Sequence, residues 1–202
     1  MIKAVIFDWG GVLAMEPSGG WAEEIAGLFG MEQSEVIENW KQLFGEFRIG
    51  KISDAEFWQG AARVFGKDVP DKEQTERAWA RGSALDIYCE IKEYAEELRE
   101  RGIRTAILSN NVEPVVELIR SRGGYEGFEP VLLSNETGLA KPDEKFYELI
   151  LEKLGMEAEE CVFVDDRAQN VEAAEKIGMK GVVAKNDPRR VMERVEAIIE
   201  LS

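Results

Sequence analysis

Val5-Ile6-Phe7-Asp8-Trp9-Gly10-Gly11-Val12-Leu13 is the stretch on which the reading of this chain turns. Its first residues complete an apolar, β-branched run that begins at Ile2, which predicts a buried strand over residues 2–7. The run stops at a carboxylate. A glycine pair follows, where backbone without side chains lets a ligand approach closely. Four further runs of similar character, at residues 104–108, 130–133, 161–164 and 181–184, alternate with helical patterns. Such alternation predicts an α/β fold, a doubly wound parallel sheet with helices on both faces.

The helices of that core are well punctuated. Residues 86–100 carry Ile87, Ile91, Ala95 and Leu98 on one face and stop before Gly102. Pro142 is expected to open a helix that ends at Gly155, and Asp187-Pro188 to open the last one. Residues 17–85 break the alternation, with amphipathic helices following one another and no strand between them. Trp21, Ile25, Leu28 and Phe29 form one stripe, and Val36, Ile37, Trp40, Leu43, Phe44 and Phe47 a second. A capping box at Ser53 and Glu56 leads into a third helix, and Pro70 begins a fourth that includes Trp79. The expected organisation is a core of residues 1–16 and 86–202, with a four-helix cap over residues 17–85 inserted after the first strand.

Composition narrows the chemistry. The 202 residues carry a net charge of −15, which repels nucleic acid and anionic membrane, so neither is an expected partner. No apolar run approaches the ~20 residues of a membrane span. The opening residues do not fit a secretory signal, which leads to an expected cytoplasmic location. Cys89 and Cys161 lack any metal or redox spacing and read as reduced, structural thiols. Histidine is absent, which excludes serine–histidine triads, phosphohistidine chemistry and histidine-ligated zinc.

In a doubly wound sheet, ligands bind at the carboxyl ends of the strands. Asp8 follows the first strand, Ser109-Asn110-Asn111 the second, and Asp165-Asp166 the fourth; Lys141 lies just past the third. Asp8, Asp165 and Asp166 form an all-oxygen set suited to Mg²⁺. Ser109, Asn110 and nearby backbone N–H groups are placed to grip phosphoryl oxygens, and Lys141 supplies a local positive charge. With charge neutralised on both sides, a carboxylate oxygen can approach phosphorus.

These motifs resemble those of the haloacid dehalogenase superfamily, over nearly the whole chain. They are Val5 through Leu13, Ile107-Leu108-Ser109-Asn110, Lys141-Pro142-Asp143, and Val162-Phe163-Val164-Asp165-Asp166 followed by Asn170. The resemblance implies a Rossmann-like core and a magnesium-dependent phosphatase acting on a small phosphorylated metabolite, such as a sugar phosphate. It implies Asp8 as the nucleophile that forms an aspartyl-phosphate, with Ser109 and Lys141 holding the phosphoryl group. The metal would be held by Asp8, the Gly10 carbonyl and Asp166, with Asp165 near it or reaching it through water. Trp9, Gly10 and Asn110 would meet the substrate, and a cap would close over it. A monomer and a homodimer are both compatible with the sequence.

One departure stands out. Most phosphatases of this superfamily carry an aspartate acid/base two residues past the nucleophile, where this chain has Gly10. A similar glycine marks the glucose-1-phosphatase-like branch, which is near the phosphatase group found at the N-terminus of epoxide hydrolases. Glu16 is a candidate substitute, and Trp21, Arg48 and Lys51 are candidate cap residues facing the site. Two alternatives stay open at this point: a 2-haloacid dehalogenase, and a non-catalytic binding or scaffold protein.

Overall fold

The computed structural model describes residues 1–184 and 187–202. Seven strands are present among them: β1 (Ala4–Phe7), β2 (Ala14–Met15), β3 (Asp86–Ile87), β4 (Arg104–Ser109), β5 (Val131–Leu133), β6 (Cys161–Asp165) and β7 (Lys180–Val183). Five of them form one parallel sheet in the order β5-β4-β1-β6-β7. The strand that leads into Asp8 is thus central, and all four of its residues are fully buried.

Alternation along β1 divides the core. Ala4 and Ile6 join Phe146, Tyr147 and Ile150 of α9 (Glu144–Leu154) on one face. Val5 and Phe7 pack on the other, with α6 (Cys89–Glu100), α7 (Glu113–Ser121) and α11 (Pro188–Glu200) supplying Ile91, Val115, Ile119 and Val195. The short α8 (Ser134–Thr137) follows β5, and α10 (Ala168–Lys176) follows β6. No helix among the described residues is long and apolar enough to cross a membrane.

Several boundaries differ from expectation for local reasons. The third run loses Pro130, which has no N–H to give a ladder; its carbonyl still accepts from Ile107 N. The helix expected from Pro142 begins at Glu144, capped by Asp143, whose carboxylate accepts from Lys145 N at 3.1 Å. Asp86 and Ile87 are not helical. They pair antiparallel with Met15 and Ala14 and stitch together the two ends of the inserted segment.

The insert contains five helices rather than four: α1 (Gly20–Phe29), α2 (Gln33–Glu38), α3 (Trp40–Phe47), α4 (Asp54–Phe65) and α5 (Lys72–Gly82). The second stripe splits at Asn39, whose side-chain amide donates to the Glu35 carbonyl at 2.8 Å and so caps α2. The Ser53–Glu56 capping box forms as expected, and a second one, Asp71 with Gln74, moves the start of α5 beyond Pro70. Phe44, Phe47, Phe57, Trp58 and Trp79 fill the interior of the insert. One carboxylate oxygen, Asp54 Oδ1, accepts from both Trp58 Nε1 at 3.0 Å and Trp79 Nε1 at 2.8 Å.

Besides its stem, the insert packs through α5 on α7 of the core and is tied to it by hydrogen bonds. Trp9 Nε1 donates to the Ala84 carbonyl at 2.7 Å. Ser134 Oγ donates to the Arg48 carbonyl at 2.5 Å while accepting from Asn111 N at 2.9 Å. Beside that latch, Gly50 sits at φ +69°, and a Cβ there would lie 2.0 Å from the Asn135 carbonyl oxygen. Only glycine permits that approach.

Candidate active site

The carboxyl edge of the sheet gathers Asp8, Ser109, Lys141, Asp165 and Asp166. Ser109 and Asp165 are the last residues of β4 and β6, and Asp8 immediately follows β1. Asp8, Asp165 and Asp166 each offer a carboxylate oxygen, all within 4.8 Å of one another.

Lys141 is the buried cation of this group, with 1% of its surface exposed. Its Nζ stands 2.8 Å from Asp8 Oδ1 and 2.6 Å from Asp165 Oδ2. An aromatic face helps to hold it, since Nζ lies 5.5 Å from the centre of the Phe163 ring. The backbone at Lys141 is clamped as well. Asn110 Nδ2 donates to the Lys141 carbonyl at 2.9 Å, and Asn110 Oδ1 accepts from Lys141 N at 2.8 Å. The expected substrate-binding residue Asn110 lines the cavity, and its amide also positions the lysine.

The two adjacent aspartates differ. Asp165 is wholly buried and engaged on both oxygens: Oδ2 takes Lys141, Oδ1 takes Arg167 N at 2.8 Å, and Asn170 Nδ2 reaches both at 3.0 and 3.1 Å. Asp166 is partly exposed and lines the cavity in front of Asp8. Successive residues at a strand end point to opposite sides, which is why neighbours in sequence take such different positions. Asp8 is also held on one side. Its Oδ1 accepts from Trp9 N at 2.7 Å in addition to Lys141, so Oδ2 carries neither bond.

Burial pushes the Asp8 carboxyl up to about 6; Lys141 opposes the rise and Asp165 adds to it. Burial likewise lifts Asp166 to about 6, reinforced by the charges of Asp8 and Glu16. Glu16 is exposed as a residue, yet its carboxyl end is crowded enough for desolvation to raise it, with Arg167 opposing.

The glycine pair makes room for these carboxylates. Gly11, at φ +70°, would place a Cβ 2.9 Å from Asp166 Cβ, and a Cβ on Gly10 would lie 2.8 Å from Glu16 Oε1. What the sequence suggested as space for a ligand is, in part, space for two side chains of the protein itself.

A cavity of about 420 Å³ opens over this edge. Trp21, Trp40, Phe44 and Arg48 of the insert line it opposite Asp8, Ser109 and Lys141. The expected Trp21 and Arg48 are thus present, but Lys51 is not. It lines a separate crevice with Ile52, Glu117 and Arg120, because the chain reverses at Gly50. Trp9 contributes to the cavity wall, while its indole is used internally on Ala84 and edge-on against Tyr125 at 5.0 Å. The positioning roles of Asn170, Asn110 and Asn111 had no periodic or charge signal in the sequence.

The chain belongs to the haloacid dehalogenase-like hydrolase family, whose model matches residues 2–178. It is 30% identical to Phosphatase MT3486 of Mycobacterium tuberculosis over 89% of this chain and 85% of that protein. It is 28% identical to the sesquiterpene phosphatase astK of Aspergillus oryzae, over 89% of this chain and 88% of the other. An (S)-2-haloacid dehalogenase of Pseudomonas sp. is 27% identical over 90% of this chain and 83% of its own. A family enzyme from Bacteroides thetaiotaomicron, crystallised with magnesium and inorganic phosphate, superposes with a TM-score of 0.79 at 26% identity, covering 92% of this chain and 96% of that one. The protein is a family hydrolase with phosphatase relatives.

Proposed function

We propose that this hydrolase is a magnesium-dependent phosphatase in which Asp8 attacks phosphorus. The observation that carries the reading is the placement of Asp8 against the buried Lys141–Asp165 pair, with Asp166 on the cavity side. Burial raises both Asp8 and Asp166 to about 6, so holding the two of them ionised side by side calls for added positive charge at the rim. An all-oxygen donor set fits Mg²⁺. Asp8 and Asp166, with the Gly10 carbonyl, would hold the ion; Asp165, committed on both oxygens, serves by fixing Lys141. When bound, the ion would screen the negative charge that phosphate brings to an acidic rim. Lys141 orients Asp8 through Oδ1 and leaves Oδ2 to form the bond to phosphorus, giving an aspartyl-phosphate. Ser109 and the N–H groups after it receive the phosphoryl oxygens. Residues 17–85 act as a cap that keeps water from the reacting atoms.

The organic part of the substrate would meet Trp21, Trp40, Phe44, Ala84, Val112 and Val115. Polar groups among these neighbours are already paired: Trp21 Nε1 donates to Ser83 Oγ at 2.9 Å, and Asn111 Oδ1 accepts from Val112 N at 2.9 Å. On this wall sugar hydroxyls would have Arg48 as a polar partner but would lose water against the aromatic and aliphatic faces, a cost that an apolar or aromatic alcohol avoids. The sesquiterpene phosphatase among the relatives supports the same preference. An apolar phosphomonoester is therefore favoured over a sugar phosphate.

Dehalogenase relatives make carbon–halogen cleavage the second reading. Against it, Asp166 and Glu16 would stand unneutralised before an anionic haloacid. A scaffold role leaves the ordered Asp8–Lys141–Asp165 constellation without a use. The deciding experiment is hydrolysis of p-nitrophenyl phosphate with Mg²⁺, for the wild type and Asp8→Asn. Turnover that needs Asp8 and stops with EDTA is expected. Halide release from 2-chloropropionate that survives EDTA would reverse the conclusion.

A further inference from the structure

We propose that Glu16 is the catalytic proton donor and acceptor of this site, an inference that rests on the phosphatase reading above. Cleaving an ester at phosphorus releases an alkoxide, which leaves poorly unless a proton reaches it. Resolving the aspartyl-phosphate then requires a proton to be taken from water. General acid–base help of this kind is worth about 10²–10⁴-fold. The group that supplies it must face the cavity, exchange a proton and have no other duty.

Most lining residues fail one of those conditions. Asp8 becomes covalently occupied. Lys141 is held between two carboxylates, and Asp165 is fully buried with both oxygens engaged. Asp166 is the carboxylate assigned to the cation. Arg48 and Arg167 line the cavity but do not give up their protons. The chain has no histidine. Glu16 remains: it lines the cavity and is not a member of the tight Asp8–Asp165–Asp166 set.

Its position is specific. Trp9 O accepts the N–H groups of Leu13 and Ala14, and Gly11 N donates to Ala14 O, so the chain folds tightly back after Asp8. The pairing of Met15 with Asp86 then anchors the residue just before Glu16. The result places Glu16 Oε1 2.8 Å, and its Cγ 3.3 Å, from where a side chain on Gly10 would begin. The carboxyl group thus stands over the backbone two residues from Asp8, delivered from eight residues along the chain.

The steps balance. Asp8 Oδ2 bonds to phosphorus as the bond from phosphorus to the ester oxygen breaks, and the Glu16 carboxyl gives its proton to that oxygen, releasing an alcohol. The Glu16 carboxylate next takes a proton from water as the water oxygen bonds to phosphorus. The bond from phosphorus to Asp8 breaks, freeing inorganic phosphate, and Glu16 is again protonated.

The test measures kcat/KM with Mg²⁺ for p-nitrophenyl, phenyl and hexyl phosphates, whose leaving groups need increasing help. For Glu16→Gln the loss should steepen along that series, from about tenfold to about 10³-fold. Gly10→Asp alone should be impaired, because its new side chain meets Glu16; combined with Glu16→Ala it should recover hexyl phosphate activity by returning a carboxyl group from the other position. A Glu16→Gln loss that is equal across the three esters, or absent, overturns the proposal, as does a double variant no better than Glu16→Ala. A wild type without Asp8-dependent turnover overturns the phosphatase reading as well, so the two failures are distinguishable.

Discussion

The sheet edge and the helical insert each bury charge in an apolar setting, and they resolve it in opposite ways. In the insert a single carboxylate, Asp54, receives two indole N–H groups and no cation, which ties α4 to α5 inside an aromatic interior. At the sheet edge three carboxylates crowd around one lysine, and two of them are lifted to about 6. In the first arrangement burial still raises the carboxyl, but two hydrogen-bond donors oppose the rise. The second is left short of positive charge, which costs stability and which, on the proposed reading, a bound cation would supply. Functional sites are where such local dissatisfaction is retained.

Replacing Lys141 with Met gives the largest expected effect. Asp8 and Asp165 would become unpaired buried carboxylates, at a cost of about 3–5 kcal/mol. Turnover of p-nitrophenyl phosphate should fall at least about 10³-fold, since the variant also loses the charge that steadies the attacking oxygen. A variant that keeps both its denaturant midpoint and its turnover would erase the contrast between the regions.

Trp79→Ala should sharpen the contrast from the other side. It removes a nearly fully buried ring and one donor to Asp54, at about 3–5 kcal/mol. Below its lowered melting temperature the variant should retain most of its turnover, because no rim residue contacts that ring by hydrogen bond. Urea unfolding alongside steady-state kinetics separates the two quantities. An equal collapse of kcat would mean that the insert and the edge are one energetic unit.

The smallest effect concerns pH. Asp8 and Asp166 have folded-state values near 6, above the ordinary aspartate value of 3.8, so the folded metal-free protein binds more protons than the unfolded chain between about pH 4 and 6. Their contribution to stability is full below the lower value and is lost as pH rises through the upper one. The melting temperature of metal-free protein should therefore decline by a few degrees from pH 5 to pH 7. Added Mg²⁺ should restore more at pH 7 than at pH 5. Identical increments at the two values would place the cation somewhere other than these carboxylates.

Much of this was legible from sequence because periodicity reports burial. β1, β4 and β6 were clear as apolar runs, and their polar end residues marked the rim at which Asp8, Ser109 and Asp165 meet. What stayed hidden depends on which way a side chain turns after the chain folds. Asp165 and Asp166 look equivalent on paper, and the hydrogen bonds that separate them come from Asn170, on the helix that follows, and from Lys141, elements away. Nothing in the spacing of Asn110 shows that its amide clamps the backbone of Lys141. Glu16 could be nominated, but its reach over Gly10 follows from the turn at Trp9 rather than from any spacing rule. Lys51 was misplaced because a positive-φ glycine next to it redirects the chain.

The two-residue ladder between β2 and β3 brings the departure and return of the insert side by side. A segment whose ends are already neighbours can be exchanged without re-threading the sheet, because the rejoined chain needs only a short turn. On the proposed reading, specificity and chemistry are separable parts of this molecule: grafting a different helical unit onto that stem is expected to change which esters are admitted while leaving the sheet edge beneath it intact.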